Sequence, residues 1–280
     1  MVACATGELP ITQAKPRSAN FRTPRQLSLT PELVARVARD VDDPGPVPGR
    51  IYATDADYEA TMRALLSAQP ASGEVWVFAY GSLIWKPACD IVEQRIAVAR
   101  GWHRSFCLGW DRRFRGTKER PGLMLALDRG GTCKGVVQLL QPDAVEANLG
   151  KLLRREMLTR PSPFPPRWVS AETTAGPLRA ITFAIDRKSE AYVGGLSAEE
   201  VADVLATAVG HWGSMADYLH NTVKHLEGLA IKDRLLWQLQ EMVAERIEVA
   251  TSARQRDGWE VAVRLNRQNE HVAPKSPIKS

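Results

Sequence analysis

The chain of 280 residues is short of the features that define several large classes. It has only four cysteines, Cys4, Cys89, Cys107 and Cys133, none in C-x-x-C spacing. That argues against a zinc ribbon or a disulfide framework and predicts reduced thiols. It has five histidines, His103, His211, His220, His225 and His271, and no metal spacing among them. In "HNTVKH", His220 and His225 are five apart and fall on different helix faces. They are expected to be structural or exposed. No apolar run is long enough to span a membrane. The opening stretch "MVACATGELPITQAKPRSANFRTPRQ" lacks the apolar centre of a signal peptide, so a cytoplasmic protein is expected. There is no internal repeat. No G-x-S-x-G elbow is present to make Ser82 a hydrolytic nucleophile with His103 or His211.

What is there reads as one main domain with additions. Apolar residues make up 44% and charged residues 25%, which suits a globular chain with a full core. The net charge of +5 suits contact with an anion, either nucleic acid or a small acidic substrate. Residues 1–28 are polar and basic and expected to be poorly ordered. "SLTPELVARVARDV" predicts a helix with Thr30 as N-cap, Pro31 in the first turn and an apolar stripe of Leu33, Val34, Val37 and Val41. "DDPGPVPGR" stops it. "TDADYEATMRALLSAQ" predicts a second helix, capped by Thr54 or Asp55. Residues 1–73 therefore read as an N-terminal extension, either packed on the main domain of 74–250 or merely covering a sheet face.

The main domain begins with short β-rich runs: Val75–Ala79, Ile91–Ala99, Trp102–Leu108, Leu123–Leu127, Lys134–Leu140, Trp168–Thr173 and Ala180–Ile185. After residue 196 the pattern turns helical, with Ser197 and Glu200 at capping-box spacing. In the last segment Leu235, Leu236, Leu239, Met242, Val243 and Ile247 form one stripe. Strands first and helices last predict an α+β fold. Residues 251–280 are polar and expected to form a mobile tail.

Two places carry chemistry. In "VWVFAYGSLIWK" a buried strand is interrupted by Gly81 and Ser82 and then resumes with apolar residues. Gly lets a ligand approach the backbone, and successive N–H groups from Gly81, Ser82 and Leu83 can form an anion-binding concavity. Tyr80 supplies a flat wall with a polar tip. A tight turn or bulge at a strand end explains the same residues. In "DAVEANLGKLLRREML", Val145, Leu149, Leu152 and Leu153 form an apolar stripe. Glu156 lies on that stripe, whereas Lys151, Arg154 and Arg155 lie on the solvated side. A carboxylate facing an apolar interior is costly unless paired or used, and burial makes it a stronger base. Pairing with Arg155 or Arg160 at the helix end is the plainer account.

Together "VFAYGSLIWKP", "RFRGTKERPGLMLALDRGGTCKGV", "LLRREML" and "GSMADYLHNTVKHLEGLAIKDRLLWQLQEMVAERI" resemble the ChaC-type γ-glutamylcyclotransferases, in order and spacing, over 74–249. The resemblance implies a mixed β-barrel or sheet surrounded by helices. It implies cleavage of glutathione to 5-oxoproline and Cys-Gly without cofactor or metal. Glu156 matches the family's catalytic glutamate. Tyr80, Gly81, Ser82 and Leu83, with Ala79 before them, match the loop that grips the γ-glutamyl group. Arg115 matches the family's R-G, and Tyr218 its substrate-facing tyrosine. The chain departs from the pattern in four places. Ala79 stands where many relatives have Gly, and Leu123 where some eukaryotic relatives have Arg. "TRPSPFPPR" after Glu156 is Pro-rich, and residues 1–73 have no counterpart in compact members.

Two alternatives remain at this level. One is a cyclotransferase for other γ-glutamyl amines or dipeptides. The other is an RNA-binding surface on "GWDRRFRGTKER", where Arg and Lys alternate with Trp110 and Phe114. The expected partner is a small molecule, with no nucleic acid and no membrane, and the expected state is a monomer or weak dimer.

Overall fold

A computed structural model describes residues 26–270, with side chains described to residue 253. Five strands close a barrel in the order β1-β3-β2-β4-β5. They are β1 (Trp76–Ala79), β2 (Ile91–Asp111), β3 (Gly122–Leu140), β4 (Pro166–Thr173) and β5 (Gly176–Phe183). Neighbours pair antiparallel except β1 and β5, whose parallel pairing closes the barrel. Four of the short runs expected from sequence are two long strands. β2 joins 91–99 to 102–108 through Gly101, and β3 joins 123–127 to 134–140 through Gly130 and Gly131. The register slips there, between Arg100 and Trp102, and all three glycines have positive φ. A glycine bulge bends a strand without ending it, so the sequence reads as two strands where the backbone makes one.

The helices are α1 (Pro31–Val37), α2 (Asp55–Ser67), α3 (Val145–Glu156), α4 (Ala198–Thr207), α5 (Met215–Gly228) and α6 (Arg234–Glu270). Thr30 caps α1, Thr54 and Asp57 form a capping box on α2, and Ser197 and Glu200 form one on α4. α1 ends at Val37, before Val41, because the chain turns away into the Pro- and Gly-rich 42–50 stretch. A two-residue hairpin, β6 (Val209–Gly210) and β7 (Gly213–Ser214), leads into α5. α6 runs on to Glu270, so residue 250 does not end the helix. Residues 251–270 contain one glycine and no proline, so nothing in that stretch stops it. The rest of the expected tail, and most of the expected disordered N-terminus, lie outside the described residues.

One core links the barrel to the helices. Val75, Val77, Leu140 and Ile181 from the barrel meet Leu149, Leu152 and Leu153 of α3 and Leu219, Leu236 and Val243 of α5 and α6. Leu29 and Leu33 of the extension, and Leu65 of α2, are buried in that same core. The extension is therefore part of the packed structure, beyond a surface cover. No described helix is long and apolar enough to cross a membrane.

Candidate active site

The site is built where β1 ends. Trp76 to Ala79 are fully enclosed; all four pair with β3, and Trp76 and Val77 also pair with β5. Ala79 is completely buried in the β1–β3 ladder with its side chain in the core, so it serves the strand. The next residue, Tyr80, turns out of the ladder. Its carbonyl accepts from Arg104 Nε at 2.6 Å. Ser82–Ile84 then form a single 3-10 turn, closed by Ile84 N–H to Gly81 O at 2.9 Å. Leu83 returns to the core, 8% exposed, and its carbonyl accepts from the buried Gln138.

Gly81 is required for a reason other than a left-handed backbone. Its φ is −136°, outside the region reserved for glycine. A Cβ there would stand 3.0 Å from Tyr218 Oη. The glycine makes room for the α5 tyrosine, which lies directly over the loop. Among the described residues, none accepts a hydrogen bond from the N–H of Gly81 or of Leu83.

Tyr218 is 4% exposed and sits edge-on to Trp85 and Phe106, at 6.1 and 6.4 Å between ring centres. Burial pushes its hydroxyl pKa up to about 12, against the pull of Arg115 and the Ser82 backbone N–H. Arg115 is itself 8% exposed. Its guanidinium lies 5.5 Å over the Tyr218 ring and donates to Ser214 O at 2.9 Å and Asp217 Oδ2 at 3.2 Å. It steadies Tyr218 from behind. Asp111 holds the start of that loop by accepting from the N–H groups of Arg113, Phe114 and Arg115. Gly116 follows because a Cβ there would meet Gly122 N at 2.2 Å.

α3 delivers Glu156 as its last residue. Leu149, Leu152 and Leu153 bury the helix face and carry Glu156 inward, as its spacing predicts. Its side chain is 18% exposed. Burial raises its pKa, and only the neighbouring Arg155 opposes that rise. The Glu156 charge raises the pKa of both Tyr80 and Tyr218 after the larger effect of burial. Tyr80 is also raised, first by burial and then by Glu156.

Helical spacing put Arg155 among the solvated residues, but the pairing with Glu156 that the helix end offered is what forms. Its Nε lies 3.2 Å from Glu156 Oε1, and its Nη2 donates to Ser82 Oγ at 3.0 Å. Another guanidinium N–H donates to the Lys86 carbonyl. The helix ends one residue later, so a side chain at this position can swing across the end of α3 toward the loop. Helical spacing reports only the face a residue would take in an unbroken helix.

A second arginine was not anticipated at all. Arg104, on β2, is 4% exposed and bonds Tyr80 O, Lys134 O and Asp233 Oδ2. Its only sequence signal is a cation in the apolar-rich run "WHRSFCLGW".

Of the residues offered for the alternative of RNA binding, Arg112, Lys118, Arg120 and Trp110 are exposed and the others are engaged within the protein. Arg113 pairs with Asp43 at 2.7 Å, Arg115 is buried, and Phe114 packs on Trp212 at 4.2 Å. Cys89, Cys107 and Cys133 are free, and burial raises each thiol to about 11. His220 is buried against the Leu29 carbonyl, and His103 and His225 make exposed contacts with backbone carbonyls. Among the described residues no group of three His, Cys, Asp or Glu is placed to hold a metal ion. A cavity of about 470 Å³ lies against Trp76, Arg95 and Arg179 and contains none of the site residues. Chemistry, not cavity size, marks the site.

The family model described as ChaC-like protein matches residues 75–246. The chain belongs to the ChaC-like family. A glutathione-specific gamma-glutamylcyclotransferase from Escherichia coli K12 is 36% identical over 191 residues, covering 66% of this chain and 81% of that protein. A mouse protein of the same description, numbered 1, is 31% identical over 165 residues, covering 55% of this chain and 72% of its own. The fold is similar to that in the crystal structure of a yeast γ-glutamyl cyclotransferase specific to glutathione. It is 22% identical with a TM-score of 0.56 and covers 61% of this chain and 96% of that one. The ChaC-like match begins at Val75, so it takes in the barrel and the site and leaves out the extension.

Proposed function

We propose that this chain is a glutathione-specific γ-glutamylcyclotransferase. It closes the γ-glutamyl group of glutathione on itself and releases 5-oxoproline and Cys-Gly. The single observation that carries the mechanism is the Glu156 carboxyl at the end of α3, its pKa raised by burial, with Arg155 at 3.2 Å linking it to Ser82 Oγ at 3.0 Å. The relatives named for this activity support the substrate.

The reaction joins two ends of one group. The α-amine attacks the γ-carbonyl, a five-membered lactam forms, and the bond to the cysteine nitrogen breaks. The amine begins as ammonium and must lose a proton. Glu156 takes that proton, and the attacking nitrogen gives up a second as the lactam N–H forms; both pass to the cysteine nitrogen, which leaves as the ammonium of Cys-Gly, so protons balance without a covalent enzyme intermediate. A raised pKa suits both halves of that task. Because nucleophile and electrophile are tethered, the protein mainly folds the substrate back. Such orientation is worth up to roughly 7–11 kcal/mol in model reactions.

Arg155 and the loop supply the hold. The N–H groups of Gly81 and Leu83, the Ser82 hydroxyl and the Arg155 guanidinium form a donor set suited to the substrate's α-carboxylate. When Glu156 accepts the proton, Arg155 loses its paired charge and turns fully to that carboxylate. Tyr80 and Tyr218, with raised pKa values, stay protonated at neutral pH and can donate to the developing oxyanion.

The test is incubation of the protein with glutathione and, separately, with γ-Glu-Ala, measuring 5-oxoproline and the freed amine. Turnover of glutathione with little of γ-Glu-Ala is expected. Turnover of γ-Glu-Ala alone would move the substrate to other γ-glutamyl amines, and turnover of neither would sink the reading.

A further inference from the structure

The extension before residue 74 touches three of the elements that deliver side chains to the site. At α5, which carries Tyr218, the Leu29 carbonyl accepts from His220 Nδ1 at 2.7 Å. At the loop that carries Arg115, Asp43 makes a two-pronged pair with Arg113, at 2.7 and 2.8 Å. At the chain leaving Glu156, residues 51–53 form a short antiparallel ladder with 158–160. Ala53 N–H donates to Leu158 O at 3.1 Å, Arg160 N–H donates to Ile51 O at 2.9 Å, and Tyr52 faces Thr159.

The grip on Glu156 comes from both sides. Arg154, two residues before it, pairs with Asp55 at 2.7 Å and stacks on Tyr58. Arg160, four residues after it, pairs with Asp57 at 3.0 Å. Both acids belong to the first turn of α2, whose capping box fixes Asp57. The segment between Asp43 and Ile51 thus runs from the Arg115 loop to the Glu156 exit. Val47 N–H is held within it by Tyr52 Oη at 2.7 Å.

We propose that this extension is a brace for catalysis. It ties α5, the Arg115 loop and the end of α3 into one frame and sets where the Glu156 carboxylate stands. Ala53, Asp57 and Arg160 are positioning residues that act through Glu156. The proposal rests on the reading of Glu156 as the base. A surface cover would change stability alone. A brace changes kcat and the titration of Glu156, which interacts electrostatically with Arg155, Tyr80 and Tyr218.

The full chain carrying Ala53→Pro loses the N–H given to Leu158 O. Arg160→Ala cuts the tie at a side chain that is 62% exposed, so the fold survives it. Each is compared with wild type by glutathione turnover and by carbon-13 NMR titration of the Glu156 carboxyl, assigned through Glu156→Gln. Ala53→Pro is expected to lower kcat about tenfold with KM within about twofold, short of the roughly 10²-fold that a 1 Å misplacement can cost. The Glu156 midpoint falls toward that of a solvated glutamate as water enters. Arg160→Ala moves kcat the same way by about threefold, within the range of a partly exposed ion pair, and Arg160→Lys restores most of it. Unchanged kcat and an unchanged Glu156 midpoint in both variants would overturn the brace, even if thermal stability drops. If Glu156→Gln turns over normally, the base reading fails separately. The NMR midpoint alone then decides whether the extension holds that carboxyl.

Discussion

Two arginine–carboxylate pairs flank the Tyr80–Leu83 loop, and they do opposite things. Arg104 meets Asp233 at 2.9 Å with 2% of its side chain exposed, and it also donates to two backbone carbonyls. It locks the exit of β1 to β3 and to the start of α6. Arg155 meets Glu156 at 3.2 Å, with 26% and 18% of the side chains exposed. There the carboxyl's pKa is raised because burial outweighs the one cation beside it. A pair whose hydrogen bonds are all spent within the protein is scaffold. A pair left poorly compensated at the edge of the interior has capacity for a ligand.

Breaking the functional member gives the largest expected effect. Glu156→Gln is nearly isosteric and cannot take the ammonium proton, so turnover of glutathione falls by about 10²–10⁴-fold. Steady-state assays with a fold check by circular dichroism measure it, and wild-type kcat would place the base elsewhere. Breaking the scaffold member is next, and its effect is on stability. Arg104→Ala leaves Asp233 and two carbonyls without their partner and costs about 3–5 kcal/mol in urea unfolding. A loss below about 1 kcal/mol, the range of surface pairs, would erase the contrast drawn between the two sites.

Between the two pairs lies Ser82, which belongs to the loop and to Arg155 at once. Ser82→Ala removes a hydrogen bond to a charged group and weakens substrate binding by about 1.5–3 kcal/mol, read as KM, while leaving measurable kcat. A trapped acyl-enzyme on Ser82, found by mass spectrometry, would replace cyclisation with a nucleophilic serine.

The smallest effect tests the raised Glu156 pKa through linkage. A folded-state pKa above the unfolded value means that the native chain binds more protons. The contribution of Glu156 to stability is therefore fully present below its unfolded pKa and is lost as pH rises through the folded one. Glu156→Gln has no such loss. The stability of the variant relative to wild type should increase between pH 4 and pH 8 in thermal unfolding. A flat difference across that range would mean that the carboxyl titrates like an exposed one.

Much of this was legible in the residues themselves. Periodicity placed α2, α3, α4 and α5 and the stripe that carries Glu156 inward, because one helix face must be buried. Capping chemistry marked the starts at Thr30, Thr54 and Ser197, because local hydrogen bonds are written in adjacent residues. The break at Gly81 and Ser82 announced a loop at the end of a buried strand. Other features depended on parts of the chain that meet only after folding. Gly101, Gly130 and Gly131 look like turns and are bulges, since pairing across β2 and β3 decides which. Gly81 is needed for Tyr218, which lies 137 positions later and whose approach no local rule reports. Arg155 was assigned to solvent by its helical angle and points into the site, because α3 ends beside it. Residues 1–73 read as either packed on the main domain or mere cover, and Leu29, Asp43 and Ile51 each reach a different element of the site. Sequence alone determined which segments are helix or strand and which carboxyl turns inward, because those depend on neighbours a few positions apart. Tertiary structure alone decided what that carboxyl and its neighbour Arg155 face and what holds them there, because the contacts with Ser82 and with the extension join residues far apart in the chain.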